Sequence, residues 1–264
     1  MIKKHIPPQC QVTYIGGPTL LLEIGGLRLL TDPTLDPAGT AFILNEKMTE
    51  SKLSGPAFLP QNPIDVVLLS HDQHFDNLDH GGRDLLQTAG VTITTKSGAE
   101  RLQVNCIGLV EGEQHILDTP SGHKIRITAT PARHGPAGIE RITGEVVGFH
   151  LRITGIENGE IYITGDTVFY HKLRELSSRI HPKYVFIFAG AARPRGPFNL
   201  TMGTNDALDT AHAFAEAMII PIHSEGWSHY TENNDNLSEA FRILGIGQRL
   251  QILEPGRATL LFEQ

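Results

Sequence analysis

The stretch VVLLSHDQHFDNLDHGG, residues 66–82, constrains this chain more than any other. Val66 to Leu69 is an unbroken apolar run, as expected of a strand covered on both faces. Ser70 ends it, and His71, Asp72, His74, Asp76, Asp79 and His80 follow at once. Imidazole and carboxylate are the ligand types that zinc and other first-row divalent ions prefer. The pattern points to a metal site at the carboxyl end of a central strand.

The same event recurs along the chain. ITATPARHGP (127–136) ends a strand at Thr130 and brings His134 into the loop behind it. EIYITGDT (160–167) ends in Asp166, and MIIPIHSEGWSHY (218–230) carries its strand to His223, with Trp227 and His229 just beyond. HPKYVFIFAGA (181–191) is a further buried strand. Side chains at the carboxyl ends of neighbouring strands meet on one edge of a sheet, where α/β proteins build their sites. His71 or His74, His134, Asp166 and His223 are therefore expected to converge.

Between these points the chain alternates strand and helix. Thr19–Ile24 and Leu27–Leu30 form a hairpin around Gly25-Gly26. Asp32 follows it, and from spacing alone is a turn carboxylate. Residues 34–63 hold four prolines and are expected to be a long loop over the site mouth, with a short helix near Phe42–Glu50. Helices are expected over Leu78–Ala89, capped by Asp76 or Asn77, over 97–102, and over Asn205–Met218, capped by Thr204. The first helix would carry Asp79 and His80 away from the site. His115 and His123 are expected to face solvent, and His150 to sit on a strand face. His5, His171, His181 and His212 carry no spacing signal.

The 264 residues suit one domain, 1–264, whose two similar β-then-α halves meet near 120–130. A net charge of −7 argues against nucleic acid as a partner. No apolar run approaches the roughly 20 residues of a membrane span. MIKKHIPPQC lacks a signal-peptide core. Cys10 and Cys106 make no disulfide framework, so a reducing, cytoplasmic setting is expected. A homo-oligomer stays open.

YIGGPTLLLEIGGLRLLTDP, the His71–Asn77 cluster, His134, Asp166 and His223 together resemble the metallo-β-lactamase superfamily over nearly the whole chain. The opening segment is similar to the subgroup of ascorbate-6-phosphate lactonases and the N-acyl phosphatidylethanolamine phospholipase D. The resemblance implies an α/β fold, an αββα sandwich of two facing mixed sheets flanked by helices. It implies one or two divalent ions, with zinc the first expectation and manganese or iron the alternatives. The cluster departs from the family's His-x-His-x-Asp-His: one residue is added, and Asn77 replaces the last histidine. If Gln73 is the addition, His71, His74 and His134 hold the first ion, and Asp76, Asp166 and His223 hold or bridge the second. In the other register Gln73 takes the second ligand place.

The chemistry implied is attack of a metal-activated water on an ester-like bond (a lactone, a phosphodiester or another small ester) of a small, anionic substrate. Asp76 would be ligand or base, and His229 a proton donor or substrate contact. Asp32 and Asp72 would orient ligand histidines. Arg193 or Arg195, with Trp227, would contact substrate. A regulatory metal-binding module without catalysis and a di-iron oxidoreductase are the alternatives from other classes, and a nuclease is disfavoured by the acidic balance.

Overall fold

The computed structural model describes residues 9–46 and 48–262; His5 and the rest of MIKKHIPP lie outside them. In chain order the strands are β1 (Cys10–Gly16), β2 (Thr19–Ile24), β3 (Leu27–Thr31), β4 (Ala41–Asn45), β5 (Met48–Ser51), β6 (Val66–Leu68), β7 (Val91–Thr95), β8 (Cys106–Leu109), β9 (Gln114–Asp118), β10 (Lys124–Pro131), β11 (Val147–Ile153), β12 (Glu160–Ile163), β13 (Tyr184–Phe188), β14 (Met218–Ile222) and β15 (Ala258–Leu260). The helices are α1 (His80–Leu86), α2 (Lys96–Leu102), α3 (Glu140–Thr143), α4 (His171–Ser177), α5 (Thr204–Ala213) and α6 (Asn234–Ile243). No helix among the described residues is long and apolar enough to cross a membrane.

One sheet has the order β15-β1-β2-β3-β6-β7-β8 and the other β14-β13-β12-β11-β10-β9. The chain changes sheet between Leu109 and Gln114 and returns at its end for β15. Strand period two explains how the layers form. Along β13, Phe186 and Phe188 pack between the sheets, while Val185 and Ile187 join Ala207, Ala211, Leu237 and Phe241 beneath α5 and α6. Along β2, Leu20, Leu22 and Ile24 face inward, while Leu21 packs outward with Leu30, Val67, Leu69 and Leu86. Both faces of the central strands are covered, so their sequences are continuous apolar runs. The result is the αββα sandwich, with β3, β6 and β7 parallel in one sheet and β12, β13 and β14 parallel in the other. Their carboxyl ends share one edge.

Ala41–Asn45 and Met48–Ser51 pair as an antiparallel hairpin, β4–β5, and not as the short helix expected near Phe42–Glu50. Its alternation decides this: Phe42 is 2% exposed and Ile43 79%. Phe42 stacks on Phe75 (centroids 4.6 Å) and lies 5.3 Å from the Trp227 ring. Leu53 N–H donates to the Gly226 carbonyl (2.7 Å), and Ser228 N–H to that of Ser51 (3.0 Å). The hairpin is thus docked on the loop behind β14.

Helix α1 starts later than expected, and Asp79 caps it by accepting from Gly82 N–H at 2.8 Å. Asp76 and Asn77 belong to the turn before it, where Leu78 N–H bonds the His74 carbonyl. A Cβ on Gly82 would meet the Pro33 carbonyl, so only glycine fits there. Helix α5 begins after Gly203, whose N–H donates to Asp206, so Thr204 is not the cap. It ends at Ala213 because the Arg249 guanidinium takes the carbonyls of Ala211, Phe214 and Ala217. His123 is buried, not solvent-facing, because the β9–β10 turn folds back onto Gly25, whose carbonyl accepts from Ser121 N–H. His115 is half-buried, and His150 sits on its strand face, 3.0 Å from Glu160.

Asp79 also accepts from the N–H groups of Leu35 and Asp36 and from Lys52 Nζ, each at 2.8 Å. Lys52 is 3% exposed and Asp79 not at all. Removing one partner of a buried pair strands the other charge. Asp79→Ala is therefore expected to cost about 3–5 kcal/mol in urea denaturation; a loss below about 1 kcal/mol would contradict this role for the pair.

Candidate metal centre

Asp32 stands at the end of β3 with φ +26°, an unusual conformation held by its N–H bond to the Leu68 carbonyl. Its Oδ1 accepts from Ser70 N–H (3.0 Å) and Ser70 Oγ (2.6 Å). Having donated its hydroxyl proton to Asp32, Ser70 Oγ can only accept from His71 Nδ1, 3.0 Å away. This fixes the His71 tautomer and leaves a lone pair on Nε2. His134 Nδ1 donates to the Leu200 carbonyl at 2.9 Å, so its Nε2 also carries a lone pair. Both Nε2 atoms lie 3.0 Å from His74 Nδ1. One ring nitrogen can donate to at most one of them, so at least one buried lone pair has no proton to accept.

Asp166 closes the group. Its Oδ2 is 3.4 Å from His134 Nε2 and 3.8 Å from His71 Nε2, buried, and without a hydrogen-bond partner. Gly165 brings it there: with φ +61° and the Val147 carbonyl and Ser70 Cβ within 3 Å of any added Cβ, it joins the two sheets' loops closely. His71, His74, His134 and Asp166 each offer one atom, all within 4.8 Å of one another. Burial, with His74 and His134 adding to it, holds His71 well below the ordinary imidazole range; burial lowers His74 too, and takes His134 to about 3. All three are neutral, which is the ligating form. Burial raises Asp166 to about 6 and Asp32 to about 8. Three neutral imidazoles, a carboxylate and orphaned lone pairs fit a divalent cation and no internal hydrogen-bond network.

Next to this group, Asp76 Oδ2 lies 2.8 Å from His229 Nε2 and 3.2 Å from His223 Nε2. Burial alone would raise Asp76, yet His229 and His223 hold it well below the usual carboxylate range. A cavity of about 260 Å³ opens over His74, Asp76 and His134, with Glu50, Leu44 and Met48 of the hairpin on one wall and Arg195 on another.

The structure brings His71, His74, Asp76, His134, Asp166, His223 and His229 together, with His74 and not Gln73 beside the rings of His71 and His134. The exposed Gln73 side chain lies against Gly144 and lines the cavity wall. Asp32 reaches His71 through Ser70. Asp72 does not orient a histidine: its carboxylate is taken by Arg101, at 2.9 Å from Nε. Trp227 does not line the cavity; it is buried beneath the hairpin, with Lys52 Nζ 5.6 Å from its ring centre. Arg193 is exposed and spends its guanidinium on Asn199, whereas Arg195 lines the cavity. Asp79 caps α1, and His80 pairs with Asp36, both off the site. Glu50 is 6% exposed and lines the cavity, a placement missed because residues 41–51 were not expected to form strands. The alternation of AFIL was the available signal.

The profile of the beta-lactamase superfamily domain matches residues 27–224. The chain belongs to the metallo-β-lactamase superfamily. Within that superfamily its place is among the metal-dependent hydrolases. A metal-dependent hydrolase of Methanosphaerula palustris is 26% identical over 235 residues, covering 87% of this chain and 90% of its own. The isothiocyanate hydrolase from Delia radicum gut bacteria has the same fold, with TM-score 0.78, 22% identity, and 96% and 100% of the two chains covered. So does a possible metal-dependent hydrolase from Veillonella parvula, with TM-score 0.80, 19% identity, and 96% and 100% covered.

His134→Ala is expected to weaken binding of the first divalent ion by at least about 10–100-fold, measured as ions per chain by elemental mass spectrometry after dialysis. Undiminished ion content would remove His134 from the ligand set.

Proposed function

We propose that this metallo-β-lactamase superfamily member hydrolyses an ester-like bond in a small substrate with an anionic group, with His71, His74, His134 and Asp166 as the seat of a divalent ion, zinc for preference. The observation that carries this reading is the pair of lone pairs on His71 and His134 aimed at one point, with an ionised Asp76 beside it. An ion seated there supplies Lewis acidity and lowers the pKa of water from about 15.7 to about 7.

The chain's own groups supply the rest. Asp76 orients the attacking water and accepts its proton, and its ionisation is secured by His229 and His223. His229 Nε2 donates to Asp76. From the cavity wall it is placed to hand a proton to the leaving group. Arg195 offers an exposed guanidinium to a carboxylate or phosphate of the substrate. Leu44, Met48 and Leu200 provide an apolar wall that limits water around the reacting bond. The similarity of the opening segment to the lactonase and phospholipase D subgroup supports lactones and phosphodiesters as first candidates, and the neighbour from Delia radicum gut bacteria adds isothiocyanates to the panel.

On whichever of these the protein cleaves, Asp76→Asn is expected to lower kcat by about 10²–10⁴-fold while the first ion stays bound. A variant as fast as the wild type would sink the assignment of Asp76. Arg195→Ala is expected to raise KM about tenfold for an anionic substrate and to leave a neutral one unaffected. Equal changes for both would show that Arg195 does not read the charge.

A further inference from the structure

Asn77 stands where the superfamily pattern has the last histidine of its cluster. A second cation seat beside Asp76 and Asp166 is therefore one ligand short. The surrounding side chains nevertheless remain arranged for a cation. His223 is fully buried, and neither of its ring nitrogens has a hydrogen-bond partner. Its Nε2 faces Asp76 Oδ2 at 3.2 Å and Asp166 Oδ1 at 3.6 Å. Asn77 Oδ1 is likewise buried without a partner.

The β4–β5 hairpin brings a further carboxylate to this place. Glu50, Asp76 and His229 each offer one atom, all within 4.8 Å of one another. Asp76, Asp166 and His223 meet the same criterion, so the two groups share Asp76. Three buried carboxylates then face two imidazoles, a donor set suited to a divalent ion.

We propose that Glu50 takes the place of the missing histidine, forming with Asp76, Asp166 and His223 a second divalent-cation site roofed by the hairpin, while His229 keeps its hydrogen bond to Asp76. This rests on the reading of the first site given above. It makes the hairpin part of the metal site as well as a wall of the cavity. Glu50 is held in place through its neighbours: Phe42 opposite it in the hairpin stacks on Phe75, and Lys52 two residues on is anchored to Asp79. The single tryptophan of the chain, Trp227, lies against both parts, 5.3 Å from the Phe42 ring and 6.1 Å from that of His229. Its emission therefore reports on this corner.

The test is a stepwise zinc titration of the full-length, metal-free chain by calorimetry, with Trp227 emission followed in parallel. The wild type is expected to take two equivalents, the second changing the emission. Glu50→Gln, which keeps the side-chain shape, is expected to retain the first equivalent and to weaken the second at least about tenfold. Ile43→Ser, an exposed position on the same hairpin, is expected to keep both. An unchanged melting temperature of metal-free Glu50→Gln shows that the hairpin has kept its fold. A wild type that takes one equivalent, or a Glu50→Gln chain that takes the second as tightly as the wild type, overturns this inference and leaves the first site standing. No zinc bound at all overturns both.

Discussion

A carboxylate at the end of β3 fixes the ring of a histidine at the end of β6, and the site is built outward from that ring. Asp32 holds Ser70, Ser70 holds His71 Nδ1, and the lone pair of His71 Nε2 is thereby aimed at His74 and His134. From the other sheet, the Leu200 carbonyl does the same for His134. Loops from two sheets packed across an apolar interface are thus made to present matched lone pairs at one edge. Imidazoles buried without protons to share are costly in a folded protein, and a cation is what would repay that cost. The backbone reflects the same demand. Asp32 and His223 both adopt positive φ without being glycine, and both lie at this edge.

The hairpin is the second organising element. It lines the cavity and carries no residue of the superfamily's motif, yet it is firmly anchored: the buried Lys52 on Asp79, Phe42 on Phe75, and Trp227 beneath. Asp79 therefore has a role that its place in the histidine cluster conceals. It starts α1 and also pins the roof over the cavity. Trp227 acts on the site in the same indirect way, by positioning the hairpin.

The fold and the metal-ligand candidates were legible because they rest on local rules. Apolar runs such as Val66–Leu69 and Tyr184–Phe188, too short for a typical helix, read as central strands, and a histidine or aspartate soon after such a run has one sheet edge to occupy. What stayed illegible depended on distant contacts. Phe42–Glu50 is short and proline-flanked, and its strand character shows only once Phe42 has Phe75 and Trp227 to pack against. Asp72 resembled a histidine-orienting group by sequence neighbourhood, but Arg101, 29 residues on, takes its carboxylate. The ends of α5 could not be placed from its apolar face, because Arg249 of a later segment closes it.

The most direct test of this account is the anomalous scattering of a crystal of the full chain soaked in zinc. The account predicts a peak bounded by His71 Nε2, His74, His134 Nε2 and Asp166, with His71 and His134 keeping their bonds to Ser70 and Leu200. An ordered site without anomalous density between those rings, or a zinc peak seated elsewhere, would contradict it.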